Sequence, residues 1–466
     1  MGRRFLEQLR ATQDALGTAL ASGPGPESDD HHYAYQRGTV LVPAHAAPSA
    51  LVTLNGTPRG DTWAQPEEGE VVRAGLRRIT VGDPRAYAAG GLPDAAKEDK
   101  DVLDALSLLN TPSNNEYTAA PNHVVSIANV NMCPADEPSP TDAPVSLTRL
   151  SAPAAPNGPH VLIVDTGLVP EIVRPFPYVG GRPRTPPLTD PDGYIREYVG
   201  HGTFIAELLA GVAPGAQVWV SNLLPDLGAA FDDVFGMRLI QALDQFEEMN
   251  GCWPDIISLS AGSTVMNLDY ALPGHESFMS RLVEHRNTLL VAAAGNNGDD
   301  TPFWPAAAAT TTDNVISVGA LREDGDDRAC FSDFGPWVSV YAPGERLVAG
   351  FLDAPLKYQH STFGVCQFLR HSPPDCTCQN PAHTGELTDP GHGDVAYFHG
   401  RAQWSGTSFA TPLVAGMIAH GMVHDGGAGV RAAAESVLKN ATQVTVEGAP
   451  VLAVFPENYT GRRPAA

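Results

Sequence analysis

No stretch of this 466-residue chain approaches the ~20 consecutive apolar residues that a membrane-spanning helix requires, so no membrane partner is expected. Cysteine is scarce, six in all, which excludes a disulfide-stapled scaffold. Basic residues are also few. Lys+Arg number 29 against 53 Asp+Glu, a formal net charge of −24. A chain this acidic repels phosphate backbones and anionic lipid, so nucleic acid is not an expected partner either. Internal repeats are missing. What remains is a globular composition, 43% hydrophobic and 18% charged, on a length that exceeds one average domain. Glycine (46) and proline (41) are abundant but scattered, which marks many ordered turns rather than a collagen-like period.

The first residues, MGRRFLEQLRATQDALGTALASG, open with a basic pair, but Glu7, Arg10 and Asp14 interrupt any apolar core of an export signal. Phe5, Leu9, Leu16 and Leu20 share a helical face, which predicts a short amphipathic helix ended by Gly23-Pro24. Its polar face is mixed in charge, so docking on its own protein fits better than membrane attachment. The expected location is cytoplasmic. Cys133, Cys252 and Cys330 stand alone, the last two in apolar surroundings that favour burial. Cys366, Cys376 and Cys378 cluster with His371 and His383 among prolines. These are zinc-ligand types, but their spacing fits no standard finger, and a reduced loop cluster or one local disulfide accounts for them better. No metal site is assigned.

Composition divides the chain into zones. Residues 1–130 carry strand-like GTVLVP (Gly38 to Pro43), a second strand at Ala50–Leu54, a helical DVLDALSLL (Asp101 to Leu109) and a closing strand HVVSIANV. Residues 131–155 are rich in Pro, Asp and Ser and read as an exposed linker. Beyond them, short apolar runs alternate with helical stretches. The runs are HVLIVDTG, AQVWVSNLL, DIISLSAG, TLLVAAAGN and NVISVGAL, with GTFIAELLAGV and FDDVFGMRLIQALDQFEEM among the helices. Short, fully apolar strands separated by helices predict a parallel sheet covered on both faces. Catalytic groups in such sheets collect beyond the carboxyl ends of the strands.

Three residues stand at such places. Asp165 ends an apolar strand, His201 opens a helix between two glycines, and Ser408 begins another helix in SGTSFATP. Singly, each reads as a turn aspartate, a loop histidine and a capping serine. Together they supply a nucleophile, a base that titrates near neutral pH, and a carboxylate that fixes the tautomer of that base. Asn296 closes the run ending AAAGN, where its amide could donate to a developing oxyanion together with the Ser408 N–H.

With these residues in place, the chain resembles the subtilisin-like serine peptidases, a family that also serves as a general worked example of this triad. The matching stretches are IVDTG at Asp165, GHGT at His201, SLSAG at Ser258–Gly262, AAAGN ending at Asn296, and SGTSFATP at Ser408. GVAPGAQV, NVISVGAL and FSDFGPWVSVYAPG add support, and the likeness covers about residues 157–440. It implies an α/β fold, a three-layer αβα arrangement with a mostly parallel central sheet, plus a small α+β propeptide-like N-terminal region. The implied plan is a propeptide-like domain over 1–130, a linker over 131–155, a peptidase domain over 156–458 with an insertion at 345–404, and a tail at 459–466.

The resemblance further implies a serine endopeptidase with Asp165, His201 and Ser408 as triad and Asn296 in the oxyanion hole. Ser260, Ala261 and Gly262 would pair with the substrate backbone and form one wall of the S1 pocket, with Ala293, Ala294 and Gly295 as the other. Small walls imply a broad preference for apolar or aromatic P1 residues. Asp299 and Asp300 could instead attract a basic P1, although a solvated turn is the better reading. No cofactor is required, and structural calcium is left open by acidic loops such as 323–327, for which a charged turn is the better default. Phe204, Glu207 and Phe409 depart from the family pattern beside the chemistry. The expected partner is a peptide or protein substrate, with a dedicated partner protein compatible with the long insertion. The alternative is a catalytically silent peptide-binding module whose cleft the N-terminal region blocks. An esterase is excluded, since Ser408 lacks the G-x-S-x-G frame.

Overall fold

Short strands of three to seven residues, most of them apolar, assemble the central sheet of this computed structural model. It describes residues 9, 12–13, 16–24, 32–58, 63–69, 71–83, 99–112, 117–127, 138–151, 158–183, 188–196, 198–224, 228–266, 272–357, 395–424 and 427–464. The chain divides into two compact units. One comprises Ile127–Gly228, Ala242–Gly262 and Leu282–Ala466. The other comprises Met1–Ser126, Ala229–Gln241 and Ser263–Arg281.

The larger unit holds a nine-stranded sheet in the order Thr442–Val446, Ala449–Ala453, Val340–Pro343, Val315–Leu321, Leu289–Ala293, Ile256–Leu259, His160–Val164, Gln217–Ser221, Val179–Gly181. Every pairing is parallel except the hairpin formed by the first two. Strand residues alternate faces. Val161, Ile163, Val218, Val220, Val291 and Val318 enter one core with the helices His201–Val212 and Thr407–His424. Leu162, Ile257, Leu290 and Ala292 point the other way and are buried as well. This is the expected three-layer α/β arrangement. The chain runs outward from His160–Val164 to Gln217–Ser221, then returns to Ile256–Leu259 on the opposite side. Strand order therefore reverses beside His160–Val164, and Asp165 emerges at that switch point.

The smaller unit is α+β. Its six-stranded sheet runs Ala229–Phe231, Ala120–Ser126, His32–Pro43, Leu76–Val81, Ala64–Pro66, with Leu20–Pro24 beside His32–Pro43, all antiparallel. The helices Ala47–Asn55 and Lys100–Leu109 cover a core of Tyr35, Val40, Val42, Ala50, Leu54, Ile79, Val102, Ala105 and Leu109. Asp99 caps the second helix, accepting from the amides of Asp101 and Val102, and also accepts from the Gly38 amide at 2.7 Å.

Several sequence expectations change here. Ala50–Leu54 is helical rather than extended. Pro48 starts the helix Ala47–Asn55, and Ala50 and Leu54, one turn apart, are its buried face. Leu9, Thr12, Gln13 and Leu16 are helical, but Leu20 already begins a strand and does not join their face. Ala229–Phe231 and the first part of the helix Asp232–Asn250 belong to the smaller unit, although in sequence they lie between two strands of the nine-stranded sheet. Within the supposed linker, Ser139–Pro140 pairs with Arg401–Trp404 and Leu147 is buried, so that stretch is partly packed. Tyr459, at the start of the tail, is buried too and bridges to Leu147. Cys330 is buried as expected, whereas Cys252 is exposed. Cys133 and the whole Cys/His cluster lie outside the described residues. Among the described residues no helix is long and apolar enough to cross a membrane, and no group of three His, Cys, Asp or Glu is placed to hold a metal.

His123 gives the smaller unit a pH dependence. Its Nε2 accepts the Met266 N–H at 3.0 Å, and burial lowers its pKa from 6.5 to about 4. The folded state resists a proton that the unfolded chain accepts below pH 6.5. Stability is therefore intact above pH 6.5 and falls as the pH drops towards 4, by roughly 3 kcal/mol in full. Protection factors at Ala120–Ser126, each exchange rate taken against the intrinsic rate at the same pH, should be constant at pH 7–8 and fall steadily from pH 6.5 to pH 4. A flat profile across that window would contradict the assignment.

Candidate active site

Asp165 leaves the carboxyl end of its strand fully buried, and its carboxylate is surrounded by donors. The Thr166 amide donates to Oδ1 at 2.7 Å and the Thr166 hydroxyl at 3.2 Å. His201 Nδ1 lies 2.9 Å from Oδ2 and 3.0 Å from Oδ1. A buried carboxylate needs such partners. Nδ1 therefore carries the proton, leaving Nε2 as the basic nitrogen. Two glycines permit this approach. Gly200 caps the His201 helix at φ +90°, a left-handed conformation that other residues rarely adopt. On Gly202, a Cβ would lie 3.0 Å from Asp165 Oδ1 and 2.7 Å from the Gly167 carbonyl oxygen.

Aromatic rings hold the imidazole on its other sides. Trp404 and Phe409 lie 5.4 and 5.3 Å from it, centroid to centroid, and Tyr198 lies 6.3 Å away. Phe204 packs on Phe409 at 4.8 Å and on Trp404 at 5.7 Å. Two of the departures from the family pattern, Phe204 and Phe409, are thus in contact with each other. The third, Glu207, accepts the Gly350 amide at 2.8 Å, and burial raises the pKa of its carboxyl.

Ser408 is the second residue of the helix Thr407–His424, so its amide lies in the first turn, where N–H groups have no intrahelical acceptor. The helix also contains Pro412, which has no N–H to give to the residue four positions earlier. That residue is Ser408. Its carbonyl takes the Ser260 hydroxyl instead, at 3.0 Å. Ser260, read from the sequence as a substrate contact, thereby ties the end of Ile256–Leu259 to the serine helix.

Asn296 is oriented from the same helix. Its Oδ1 accepts the Thr407 amide at 2.9 Å and the Thr407 hydroxyl at 2.8 Å. Its Nδ2 then faces the serine turn, 3.6 Å from where a Cβ on Gly406 would stand. Thr407 escaped the sequence reading, as did Thr166 and the ring cage around His201. A hydroxyl beside the serine and Pro412 four residues after it were the available signals. Asp299 and Asp300 form a turn, with Asp299 accepting the Thr301 amide and the Asp300 carbonyl accepting from Trp337. Asp333 lies beneath, bound by the Asn297 amide and side chain. Burial, with Asp299 nearby, pushes its carboxyl well above the usual range. In the acidic loop, Asp324 pairs with Arg322 and Glu323 with Arg346.

The subtilase family model matches residues 188–450, more than half of the chain, and that span includes His201, Asn296 and Ser408. The chain belongs to the subtilase family. As a subtilase it is a subtilisin-like serine protease acting on peptides or proteins. Similar solved structures include the self-cleaved protease domain of PatA, at 22% identity over 61% of this chain and 88% of that one, TM-score 0.40. A cold-adapted subtilisin-like serine proteinase matches at 17% identity over 71% and 99%, TM-score 0.44. The prenylagaramide maturation protease PagA matches at 20% identity over 61% and 84%, TM-score 0.41. No curated protein sequence matches the chain.

Two substitutions separate the contributions within this subtilase. Ser260→Ala leaves the buried Ser408 carbonyl without a donor and should cost about 1–3 kcal/mol, read as a lower Tm. Thr407→Val keeps the volume but removes the hydroxyl that donates to Asn296 and accepts the buried Gly295 amide. It should lower kcat about tenfold with little change in KM, and lower Tm as well because the Gly295 amide loses its acceptor. An unchanged kcat would show that the Thr407 amide suffices.

Proposed function

We propose that this subtilase is an endopeptidase in which Ser408 attacks the scissile carbonyl and His201 moves the proton. Asp165 holds His201, and Asn296 stabilises the oxyanion together with the Ser408 N–H. The observation that carries the reading is the Asp165 carboxylate on His201 Nδ1, which leaves Nε2 as the base. The orientation of Asn296 by Thr407, one residue before Ser408, supports the oxyanion role. Ser260–Gly262 and Ala293–Gly295 line the substrate cleft. They lie at the carboxyl ends of neighbouring parallel strands, where substrates of such sheets bind. An extended peptide is held there through its backbone.

The smaller unit acts as a propeptide-like regulator, so the activity is regulated proteolysis rather than general digestion. Its sheet is completed by Ala229–Phe231, and Arg78 makes a two-pronged ion pair with Asp233 at 2.7 Å on each arm. Both partners come from a segment far downstream of residues 131–155. A cut in 131–155 would therefore leave the N-terminal piece hydrogen-bonded to the rest of the chain.

Intact mass followed over time, for wild type and Ser408→Ala with an unstructured protein substrate, tests the reading. Wild type should cut itself within 131–155 and then degrade the substrate, while Ser408→Ala stays whole and inert. The two wild-type fragments should co-elute in native gel filtration. Substrate cleavage by an uncut wild type would retain the peptidase but remove the propeptide role. Binding without turnover by wild type would favour the silent module.

A further inference from the structure

The two glycines that terminate the proposed S1 walls are not separated by open space. A Cβ on Gly262 would stand 2.3 Å from Cε1 of Phe303 and 2.3 Å from the Trp304 carbonyl oxygen. On Gly295, a Cβ would stand 2.8 Å from Cγ of the same ring and 3.0 Å from its Cδ2. One edge of the Phe303 ring therefore rests on the first wall and the other on the second. The ring is buried, and its backbone is pinned because the Phe303 carbonyl accepts the Ala307 amide at 2.8 Å. Behind Gly295 stands the Asp333 carboxyl, 2.2 Å from where a Cβ would be. Neither glycine could carry a side chain. The absence of a Cβ at these positions serves to seat a phenylalanine of the protein itself.

We infer that Phe303 is a specificity-determining residue whose ring fills the depth of the slot between Gly262 and Gly295, restricting the enzyme to peptide bonds that follow small residues. This rests on the proposed assignment of those two segments as the walls that receive the P1 side chain. It narrows the apolar or aromatic preference that small walls alone suggest. A glycine, alanine or serine side chain ends before it meets the ring. A leucine or phenylalanine would have to displace a buried ring fixed by packing on both edges, and packed interiors resist added volume. Charge does not open the site to basic residues, since burial pushes the Asp333 carboxyl well above the usual carboxylate range and Asn297 already engages it.

The test uses the full chain digesting an unstructured protein, with every cut mapped by mass spectrometry, for wild type, Phe303→Ala, Phe303→Leu and Ser408→Ala. Paired peptides that differ only in Ala or Phe before the cut provide kcat/KM. Wild type should favour Ala over Phe by on the order of tenfold to a hundredfold. Phe303→Ala should raise cleavage after Phe and Leu by on the order of tenfold or more, leave cleavage after Ala within a few-fold, and keep the cuts dependent on Ser408. Phe303→Leu, a smaller change in volume, guards against loss of folding and should give an intermediate profile at an unchanged Tm. Wild-type cutting after large residues that still vanishes in Ser408→Ala would overturn the filled slot while leaving the catalytic reading intact. The same products from Ser408→Ala, or no cutting at all, would overturn both.

Discussion

A carboxylate with no access to water must be surrounded by donors, and the site of this protein is organised around that requirement at Asp165. Its oxygens are met by Thr166 and His201. Removing a partner from such a buried charge costs far more than an exposed ion pair contributes. The imidazole is consequently held in one orientation and one tautomer, with rings of Trp404, Phe409 and Tyr198 around it. Other features follow from the need to bring these groups together. Gly200 and Gly202 allow the helix to start against the strand end, and the reversal of strand order beside His160–Val164 opens the place where it starts.

The serine side depends on a deliberate defect in a helix. Pro412 removes the donor that would have served the Ser408 carbonyl, and Ser260 replaces it. That exchange couples the serine helix to the segment that follows Ile256–Leu259 through a side chain rather than through regular backbone bonding. Thr407 does the same for Asn296. Three segments distant in sequence, 258–262, 293–296 and 405–412, are in this way fixed to one another by two hydroxyls. The exchange of neighbours around His201 is equally cooperative, because Phe204 and Phe409 fill space against each other.

Much of this was legible in the sequence because it is local. Apolar runs ended by a polar residue mark the parallel strands; the motifs around Asp165 and Asn296 stand at the ends of such runs, and those around His201 and Ser408 at glycine-flanked helix starts. Ala50–Leu54 was misleading, since five residues are too few to distinguish a strand from one buried face of a helix begun by Pro48. Non-local relations were not legible. Nothing in the sequence says that Ala229–Phe231 completes the sheet of the N-terminal unit, because strand pairing over a hundred residues leaves no periodic trace. Phe303 is separated from Gly262 by forty-one positions, and its place against Gly262 and Gly295 emerges only from packing.

The most direct measurement of the central claim is covalent labelling with a fluorophosphonate, which forms a stable adduct only on a serine activated by its neighbours. Mass spectrometry of the labelled protein should place the adduct on Ser408 alone. Labelling should slow sharply in His201→Ala, with Asn296→Ala also slower than wild type. An adduct on another serine, or labelling of Ser408 at the same rate without His201, would contradict the account.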